Sequence, residues 1–332
     1  MPDFCWINLD TTDPAFNLAA EQYVFDSLPQ DRSWLVLWQN DRTVVIGKYQ
    51  NTLAEINKKY VDENGIRVVR RLSGGGAVYH DLGNLNYSII TDAGEIENLN
   101  LKLFCEPVAA ALQRMGVPAE INGRNDMTVD GKKISGNSQY MRSGRVLHHG
   151  TLLFDSDLTV LEKVLQVDQE KIRSKGLKSV RSRVTCIRPY LWENCSLAEF
   201  RTLLLDQLLA ETPGQEYCFT GKDLSKIERI RKERYDTWEW NYGRSPACSL
   251  IKRQHIEGCG TVEARLELEH GRIEQLCFYG DFFSAEEPEQ LAPVLMGVRL
   301  EREDLENALN GVRTDRFFTG MTRESFLRLL LS

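Results

Sequence analysis

The stretch RRLSGGGAVYHDLGN, residues 70–84, sets three consecutive glycines between two arginines and the sequence Tyr-His-Asp. Glycine loses more backbone freedom on folding than any other residue, so this run needs either left-handed backbone angles or the close approach of another group. One interpretation is a tight hairpin. The other is a loop whose backbone N–H groups bind a flat or anionic ligand, with Arg70 and Arg71 beside it to carry negative charge. The residues alone leave both open.

Strand patterns flank this loop, in GIRVVRRL (65–72) and LNYSIITD (85–92). Upstream, TTDPAFNLAAEQYVFDSL (11–28) predicts a first helix, and WLVLWQNDRTVVIGKYQN (34–51) predicts two strands around a turn at Asn40-Asp41. Downstream, residues 123–154 alternate in short segments around Asp130-Gly131 and Ser143-Gly144, which predicts antiparallel hairpins. The loop is therefore expected between strands of a sheet.

Helical spacing returns in LTVLEKVLQV (158–167) and SLAEFRTLLLDQLLAET (196–212). The fold class predicted is α+β, with mixed and antiparallel sheets and helices packed on them. A hairpin turning at His270-Gly271, followed by helical segments at 303–312 and 323–332, predicts a small α+β C-terminal domain. We expect domains at 1–245 and 246–332, because 332 residues exceed one typical domain.

The net charge of −7 argues against a general nucleic-acid-binding protein, which needs a dominant positive field. The eight cysteines form no C-x-x-C pair and no zinc-ligand spacing, which indicates reduced thiols. The N-terminus resembles neither a signal peptide nor a transit peptide, and no run approaches the roughly 20 apolar residues of a membrane span. We expect a cytoplasmic protein, bound to neither nucleic acid nor membrane.

Two more segments suggest anion chemistry. In DGKKISG (130–136), a lysine just past a turn could point into a cleft, although lysines beside turns usually lie in water. KIRSKGLKSVRSR (171–183) carries six basic residues and no acidic one, which is typical of a loop that closes on an anion or of a solvated helix face. The P-loop and the Rossmann glycine fingerprint are both absent from the glycine-rich stretch.

Together these motifs resemble those of the lipoate–protein ligases. RRLSGGGAVYHDLGN, GRNDMTVDGKKISG, HHGTLLF and KSVRSRVT match the family in identity, order and approximate spacing over roughly residues 30–185, and the C-terminal segment is similar to its accessory domain. The resemblance implies a catalytic domain of the biotin/lipoate ligase type. It also implies a two-step reaction, in which lipoate and ATP, with Mg²⁺, give lipoyl-AMP and pyrophosphate, and the lipoyl group then passes to a lysine of an acceptor.

The resemblance also implies the partners and the roles of individual residues. The acceptors are the lipoyl domains of 2-oxoacid dehydrogenase E2 subunits and the glycine-cleavage H protein, and the enzyme is expected to be a monomer. Lys133 is the implied catalytic lysine, bridging the acyl carboxyl oxygen and the adenylate phosphate, and Lys132 is its solvated neighbour. Lipoate is assigned Arg70, Gly75, Val78 and His149; ATP or adenylate is assigned Arg70, Gly75, Gly76, Ala77, Val78, Tyr79, Asn125, Lys133, Lys178, Arg181 and Arg183; and a metal role is assigned to Asp126.

Three other functions fit parts of the same pattern. Octanoyl or lipoyl transferases share the fold but use an active-site cysteine near the position of His149 and Gly150, and no cysteine occurs between residues 105 and 186. The biotin–protein ligases carry a glycine-arginine signature of a different form. A non-catalytic lipoate-binding protein would not need Lys133 and the basic segment. His148 is expected at the surface.

Overall fold

A computed structural model describes residues 3–94, 100–123, 125–165, 183–243, 250–269 and 272–331. The strands are β1 Asp3–Asn8, β2 Arg32–Trp38, β3 Thr43–Ile46, β4 Arg67–Arg70, β5 Val78–His80, β6 Asn84–Asp92, β7 Glu120–Asn122, β8 Asp126–Val129, β9 Lys132–Arg142, β10 Arg145–Leu153, β11 Gly214–Glu216, β12 Leu250–Ile256, β13 Gly260–Glu269 and β14 Arg272–Gly280. The α-helices are α1 Pro14–Ser27, α2 Thr52–Glu55, α3 Lys58–Glu63, α4 Leu101–Arg114, α5 Leu158–Val164, α6 Leu197–Glu211, α7 Gly221–Ile230, α8 Trp238–Asn241, α9 Ala292–Leu295, α10 Arg302–Ala308, α11 Thr314–Phe317 and α12 Arg323–Leu331.

The largest sheet has eight strands in the order β11-β1-β2-β6-β10-β9-β8-β7. Strand β1 pairs in parallel with β2 and β11, and the remaining pairs are antiparallel, so the predicted mixed sheet is confirmed. Alternate residues of β2 belong to different cores: Trp34 packs with α1, and Leu35 packs with α4 and α6. Helices therefore cover both faces of this sheet.

Local sequence sets the ends of the first helix. Pro14 occupies its first turn, where the missing N–H costs nothing, and the Asp13 carboxylate accepts hydrogen bonds from the N–H groups of Ala15 and Phe16 at 2.9 and 3.0 Å. Helix α6 begins with a capping box formed by Ser196 and Glu199. Both helices were predicted from their sequence patterns.

A small sheet, β4-β3-β5, carries the glycine loop between β4 and β5. The two strands around Asn40-Asp41 lie where predicted, but they do not pair with each other: β2 belongs to the large sheet and β3 to the small one. Strand β3 pairs in parallel with β4 and antiparallel with β5, so the chain crosses between sheets at residues 39–42. The glycine loop thus lies where the small sheet meets the large one.

The predicted hairpins β8–β9 and β9–β10 form, and their turns use left-handed backbone angles. The φ angles are +52° and +72° at Asp130 and Gly131, and +51° and +74° at Ser143 and Gly144. Two consecutive left-handed residues give a turn whose twist matches that of the flanking strands. These hairpins place Lys133 and His149 on neighbouring strands.

The C-terminal part contains the antiparallel sheet β12-β13-β14 and helices α9 to α12 around a core of its own. Tyr49 joins that core and stacks on Phe282 with ring centroids 4.8 Å apart. Lys48 forms an ion pair with Glu287 across the same contact. The predicted boundary at 245/246 lies outside the described residues and stays a prediction. None of the described helices is both long enough and apolar enough to cross a membrane.

Candidate active site

Two cavities meet at Lys133. The inner cavity, of about 130 Å³, has Leu18, Trp38 and Val45 among its walls, and the outer cavity, of about 510 Å³, includes Asp126 and Arg183. Residues that line both are Ala77, Val78, Lys133 and Thr151. A ligand with an apolar part and a larger polar part could therefore extend from one cavity into the other past the Lys133 ammonium.

The glycine loop has no room for side chains. A Cβ on Gly74 would lie 2.3 Å from the Phe282 carbonyl oxygen, and one on Gly75, whose φ is +88°, would lie 2.8 Å from the Phe283 ring. The Gly75 N–H donates to the Phe282 carbonyl at 3.0 Å. The tight-hairpin interpretation is wrong, because β4 and β5 do not pair with each other but both pair with β3. The loop lines the inner cavity, and ligand binding by it stays a prediction.

The two arginines ahead of the loop have different surroundings. Arg70 is fully buried and donates to the carbonyl oxygens of residues 47, 48, 50, 240 and 241 and to the Thr52 hydroxyl. It lines neither cavity. The prediction that Arg70 contacts lipoate and adenylate is wrong, because backbone carbonyls already take up its guanidinium.

Arg71 is the arginine on the inner cavity. Its guanidinium donates to the carbonyls of Gly74 and Gly76 at 2.6 and 2.9 Å and to the Ser73 hydroxyl at 3.1 Å. Burial lowers the pKa of Arg71 to about 10, which still leaves it charged at neutral pH. It holds the carbonyl groups of the glycine loop and places a positive charge at the inner cavity, which Arg70 does not line.

Lys133 follows the β8–β9 turn, and its side chain is one-third exposed. Its Nζ lies 2.7 Å from an Asp126 carboxylate oxygen, and Lys132 on the opposite face of the strand is exposed. A Cβ on Gly136 would lie 2.8 Å from the Lys133 Nζ, so glycine at 136 leaves the ammonium its space. The strand alternation therefore directs Lys133, and not Lys132, to the site.

Asn125 and Asn137 hold each other in place on the inner cavity. The Asn125 amide donates to the Asn137 carbonyl at 2.9 Å, and the Asn137 amide donates to the Asn125 carbonyl at 3.2 Å. The Asn137 side-chain oxygen accepts from the Tyr87 hydroxyl at 2.5 Å, and a Cβ on Gly150 would lie 2.1 Å from that oxygen. Glycine at 150 is thus required by the packing of these side chains.

His149 lies in a buried chain of polar groups on the wall of the inner cavity. Its Nδ1 lies 2.9 Å from a Glu21 carboxylate oxygen, and its Nε2 lies 2.6 Å from the Ser73 hydroxyl. The Trp38 indole N–H donates to Ser88, which donates to the same Glu21 oxygen. Hydrogen bonds on both ring nitrogens fix the orientation of His149.

His148 is fully buried, so the expectation that it lies at the surface is wrong. It stacks on Phe104 with ring centroids 5.2 Å apart, beneath α4. Burial and the neighbouring His149 hold its pKa well below the usual range for histidine. Successive residues of a strand face opposite sides of the sheet, and here both sides are covered by helices.

Most of the other predicted site residues line one of the cavities. Gly75, Gly76 and Asn125 line the inner cavity, Tyr79 and Asp126 line the outer one, and Ala77 and Val78 line both. Arg183 reaches the outer cavity, whereas Lys178 and Arg181 lie outside the described residues. Contact with a ligand remains a prediction for each of them.

Sequence reasoning missed several residues of the inner cavity, including Trp38, His80, Asn86 and Phe283. The nearby glycine motif is the signal that points to His80, which lies in residues 70–84, and the neighbouring strand pattern is the signal for Trp38. Phe283 comes from the C-terminal part of the chain, and no local pattern places it at the glycine loop.

The catalytic-domain sequence profile described as "Lipoyl protein ligase A/B catalytic domain" matches residues 13–209, and the profile "Bacterial lipoate protein ligase C-terminus" matches residues 245–330. The chain belongs to the lipoate–protein ligase family. The first match contains both hairpins and the glycine loop, and the second contains the sheet β12-β13-β14.

Two relatives within the family align over nearly the whole chain. The lipoate-protein ligase LplJ of Bacillus subtilis is 45% identical over 97% of this chain and 98% of its own length. Lipoate–protein ligase 1 of Staphylococcus aureus is 40% identical, again over 97% and 98%. The ligase identity predicted from the motifs is confirmed.

Solved structures agree with the fold. The bipartite lipoate protein ligase of Thermoplasma acidophilum, described together with its E2 lipoyl domain, has a TM-score of 0.65 at 31% identity over 75% of this chain and 100% of its own. A lipoate-protein ligase A bound with ATP has a TM-score of 0.61 at 28% identity over 73% and 99%. The predicted α+β class with a small C-terminal domain is confirmed.

Proposed function

We propose that this enzyme activates lipoate with ATP to lipoyl-AMP, releasing pyrophosphate, and then transfers the lipoyl group to a lysine of a lipoyl domain. The observation that carries the proposal is the position of Lys133, which lines both cavities at their junction. The carboxylate of lipoate and the α-phosphate of ATP repel each other. A fixed cation between them lowers this repulsion and stabilises the extra charge that develops at phosphorus.

The two cavities suit the two halves of the adenylate. The inner cavity is narrow and has Leu18, Trp38 and Val45 in its walls, which fits an acyl chain. The outer cavity is larger and carries Asp126 and Arg183, which fits a nucleotide phosphate with its counterions. The lipoate carboxylate would then lie at the Lys133 ammonium, and its hydrocarbon chain would run inward.

Asp126 fits the predicted role in holding Mg²⁺. Its carboxylate lines the outer cavity and is ion-paired with Lys133. Mg²⁺ is commonly held by one or two carboxylates together with substrate phosphates, and within the described ranges no group of three or more His, Cys, Asp or Glu side chains could hold a metal alone. When bound, the ion would neutralise phosphate charge, and Lys133 would be freed from Asp126 to face the reacting groups.

The second half-reaction needs the mixed anhydride kept from water until an acceptor lysine arrives. We assign this to the basic segment 171–183, with Lys178, Arg181 and Arg183 closing on the adenylate phosphate. Arg183, which lines the outer cavity, supports this assignment. The acceptors proposed are the lipoyl domains of 2-oxoacid dehydrogenase E2 subunits and the glycine-cleavage H protein.

A thioester-forming transferase is disfavoured by the cavity walls. No cysteine is found among the described residues that line the inner or the outer cavity. His149 and Gly150 lie on the inner wall, at the position where transferases of this fold carry their cysteine. Both ring nitrogens of His149 are hydrogen-bonded, and an imidazole cannot replace the thiol that forms the thioester.

Lipoate-dependent release of pyrophosphate from ATP and Mg²⁺ tests the function. We expect release by the wild-type enzyme, a loss of at least 100-fold in Lys133→Ala through removal of transition-state charge stabilisation, and near-normal release in Lys132→Ala. Equal loss in both variants would show that the catalytic lysine is misassigned. Lipoyl transfer without ATP would support the transferase.

A further inference from the structure

The lipoate carboxylate, if held at Lys133, leaves the far end of the acyl chain in the inner cavity. His80 and Asn86 line the inner cavity but not the outer one. They are neighbours through Trp38, which lies opposite Asn86 in the β2–β6 pair and whose ring is 6.0 Å from the His80 ring. This part of the cavity is polar as well as apolar.

A chain of hydrogen bonds fixes the protonation of His80. The Asn17 amide nitrogen donates to the backbone carbonyls of Thr11 and Gln39 at 3.1 and 2.8 Å, which identifies it as nitrogen. It also lies 3.0 Å from the Asn40 side-chain oxygen, so the Asn40 nitrogen faces His80 Nδ1 at 3.2 Å. That ring nitrogen must accept, and the proton of the neutral ring is on Nε2.

The ring is neutral at physiological pH. His80 is 2% exposed, and burial, together with the charge of Arg71 and the presence of His149, lowers its pKa to about 3. The buried imidazole therefore presents one N–H donor at Nε2.

No described residue accepts from that donor. His80 Nε2 is buried without a hydrogen-bond partner, and the same is true of the Asn86 amide nitrogen, whose side-chain oxygen accepts from Asn84 at 3.0 Å. A buried donor left unpaired is costly, so two in one cavity wall need an explanation.

We propose that His80, with Asn86 beside it, is a specificity-determining residue that donates hydrogen bonds to the sulfur-bearing ring of the acyl chain and so discriminates lipoate from saturated fatty acids. The inference rests on the proposed function and identifies the hydrogen-bond donors by which the inner cavity would select lipoate. The dithiolane sulfurs are polarisable, weak acceptors, whereas the methyl end of octanoate has no acceptor. Octanoate would bury both donors unpaired, which is how a polar pocket rejects an apolar analogue.

The test compares kcat/KM for lipoate and octanoate in pyrophosphate release. We expect the wild-type enzyme to favour lipoate about tenfold, because a weak hydrogen bond and an unpaired donor together are worth about one decade. His80→Phe keeps a ring of similar size without a donor, and the preference should fall to about twofold with little change in kcat. His80→Gln, which retains an N–H, should keep an intermediate preference. An unchanged preference in His80→Phe would overturn the proposal.

Two measurements separate this inference from the proposed function. If neither acid supports pyrophosphate release by the wild-type enzyme, the proposed function fails. Calorimetric Kd values of lipoate and octanoate for the wild type and the His80 variants then test the inference, because the lipoate preference in Kd must fall in His80→Phe. If His80→Phe does not fold, Asn86→Leu is used, for which the lipoate preference must also fall. Imidazole ¹⁵N shifts of the wild-type enzyme should show the His80 proton on Nε2, and a proton on Nδ1 would contradict the proposal.

Discussion

Arg70 and Arg71 carry the same side chain but have different roles, because neighbouring residues of the chain point in different directions. Arg70, the last residue of β4, points into the packing around Asn241 and binds carbonyl groups on several segments. Arg71 points to the inner cavity and to the carbonyls of the glycine loop. One guanidinium therefore holds the fold, and the other shapes the site.

Arg70→Lys is expected to destabilise the protein by about 3 kcal/mol, because a lysine ammonium cannot reproduce the planar fork that satisfies these buried carbonyls. Urea denaturation measures it. Arg188→Lys, at an exposed ion pair with Asp155, is the control and should change stability by no more than about 0.5 kcal/mol. A raised KM for lipoate in Arg70→Lys at unchanged stability would return Arg70 to the ligand site.

His148 makes stability depend on pH. Its pKa is well below the usual range in the folded protein because of burial and His149, while the unfolded chain takes up the proton near pH 6.5. Protonation thus favours the unfolded state, and the free energy of unfolding should fall as the pH drops below about 6.5, by up to about 1.4 kcal/mol per pH unit. His148→Gln should have a shallower slope between pH 6.5 and 4.5 in denaturation experiments. Equal slopes would show that His148 titrates normally.

At the scale of elements, the glycine loop joins β4 to β5 and also binds the C-terminal part of the chain. Gly75 has a left-handed φ, and its N–H is bonded to the Phe282 carbonyl. Gly144 has a similar φ of +74°, but a Cβ there would meet no atom within 4 Å. Comparing Gly75 with Gly144 therefore distinguishes the cost of a left-handed backbone from the cost of a steric clash.

Gly144→Ala should cost about 1 kcal/mol, the price of placing alanine in a left-handed turn. Gly75→Ala should cost at least about 1 kcal/mol more, because its Cβ would also displace the Phe283 ring and the Arg71 guanidinium. Denaturation midpoints of the two variants give the comparison. Equal losses would mean that the Phe283 ring moves aside without cost.

At the scale of the whole molecule, the site is built from both ends of the chain. Phe283 lines the inner cavity, and the Lys48–Glu287 pair and the Tyr49–Phe282 stack hold the C-terminal sheet against the catalytic part. The Lys48 side chain is 7% exposed, and its ammonium is ion-paired with Glu287 and lies 4.9 Å from the centre of the Tyr140 ring. These contacts stabilise the packing of the C-terminal part and lie next to Phe283 of the inner cavity.

Glu287→Ala is expected to lower the free energy of unfolding by roughly 2 kcal/mol, because the buried Lys48 ammonium loses its carboxylate partner. Glu324→Ala, which removes an exposed pair with Arg302, is the matched control and should leave the denaturation midpoint unchanged. The same midpoint in both variants would show that the Lys48–Glu287 pair contributes no more than a surface pair.

The sequence by itself determined the elements whose signals are local. Asp13 and Pro14 begin α1, and Asp130-Gly131 and Ser143-Gly144 turn the hairpins. Each of these depends on a few neighbouring residues, whose backbone preferences and hydrogen bonds are the same in any fold. The family followed from motifs of this local kind.

Only the tertiary structure decided which side chains meet. The burial of Arg70 among carbonyls of segments 47–50 and 240–241, the burial of His148, and the arrival of Phe283 at Gly75 join residues far apart in the chain. The Asn17–Asn40–His80 relay likewise crosses from α1 to β5. A side chain's neighbours are set by how sheets and helices pack, and packing depends on the whole chain at once, so no local pattern specifies it.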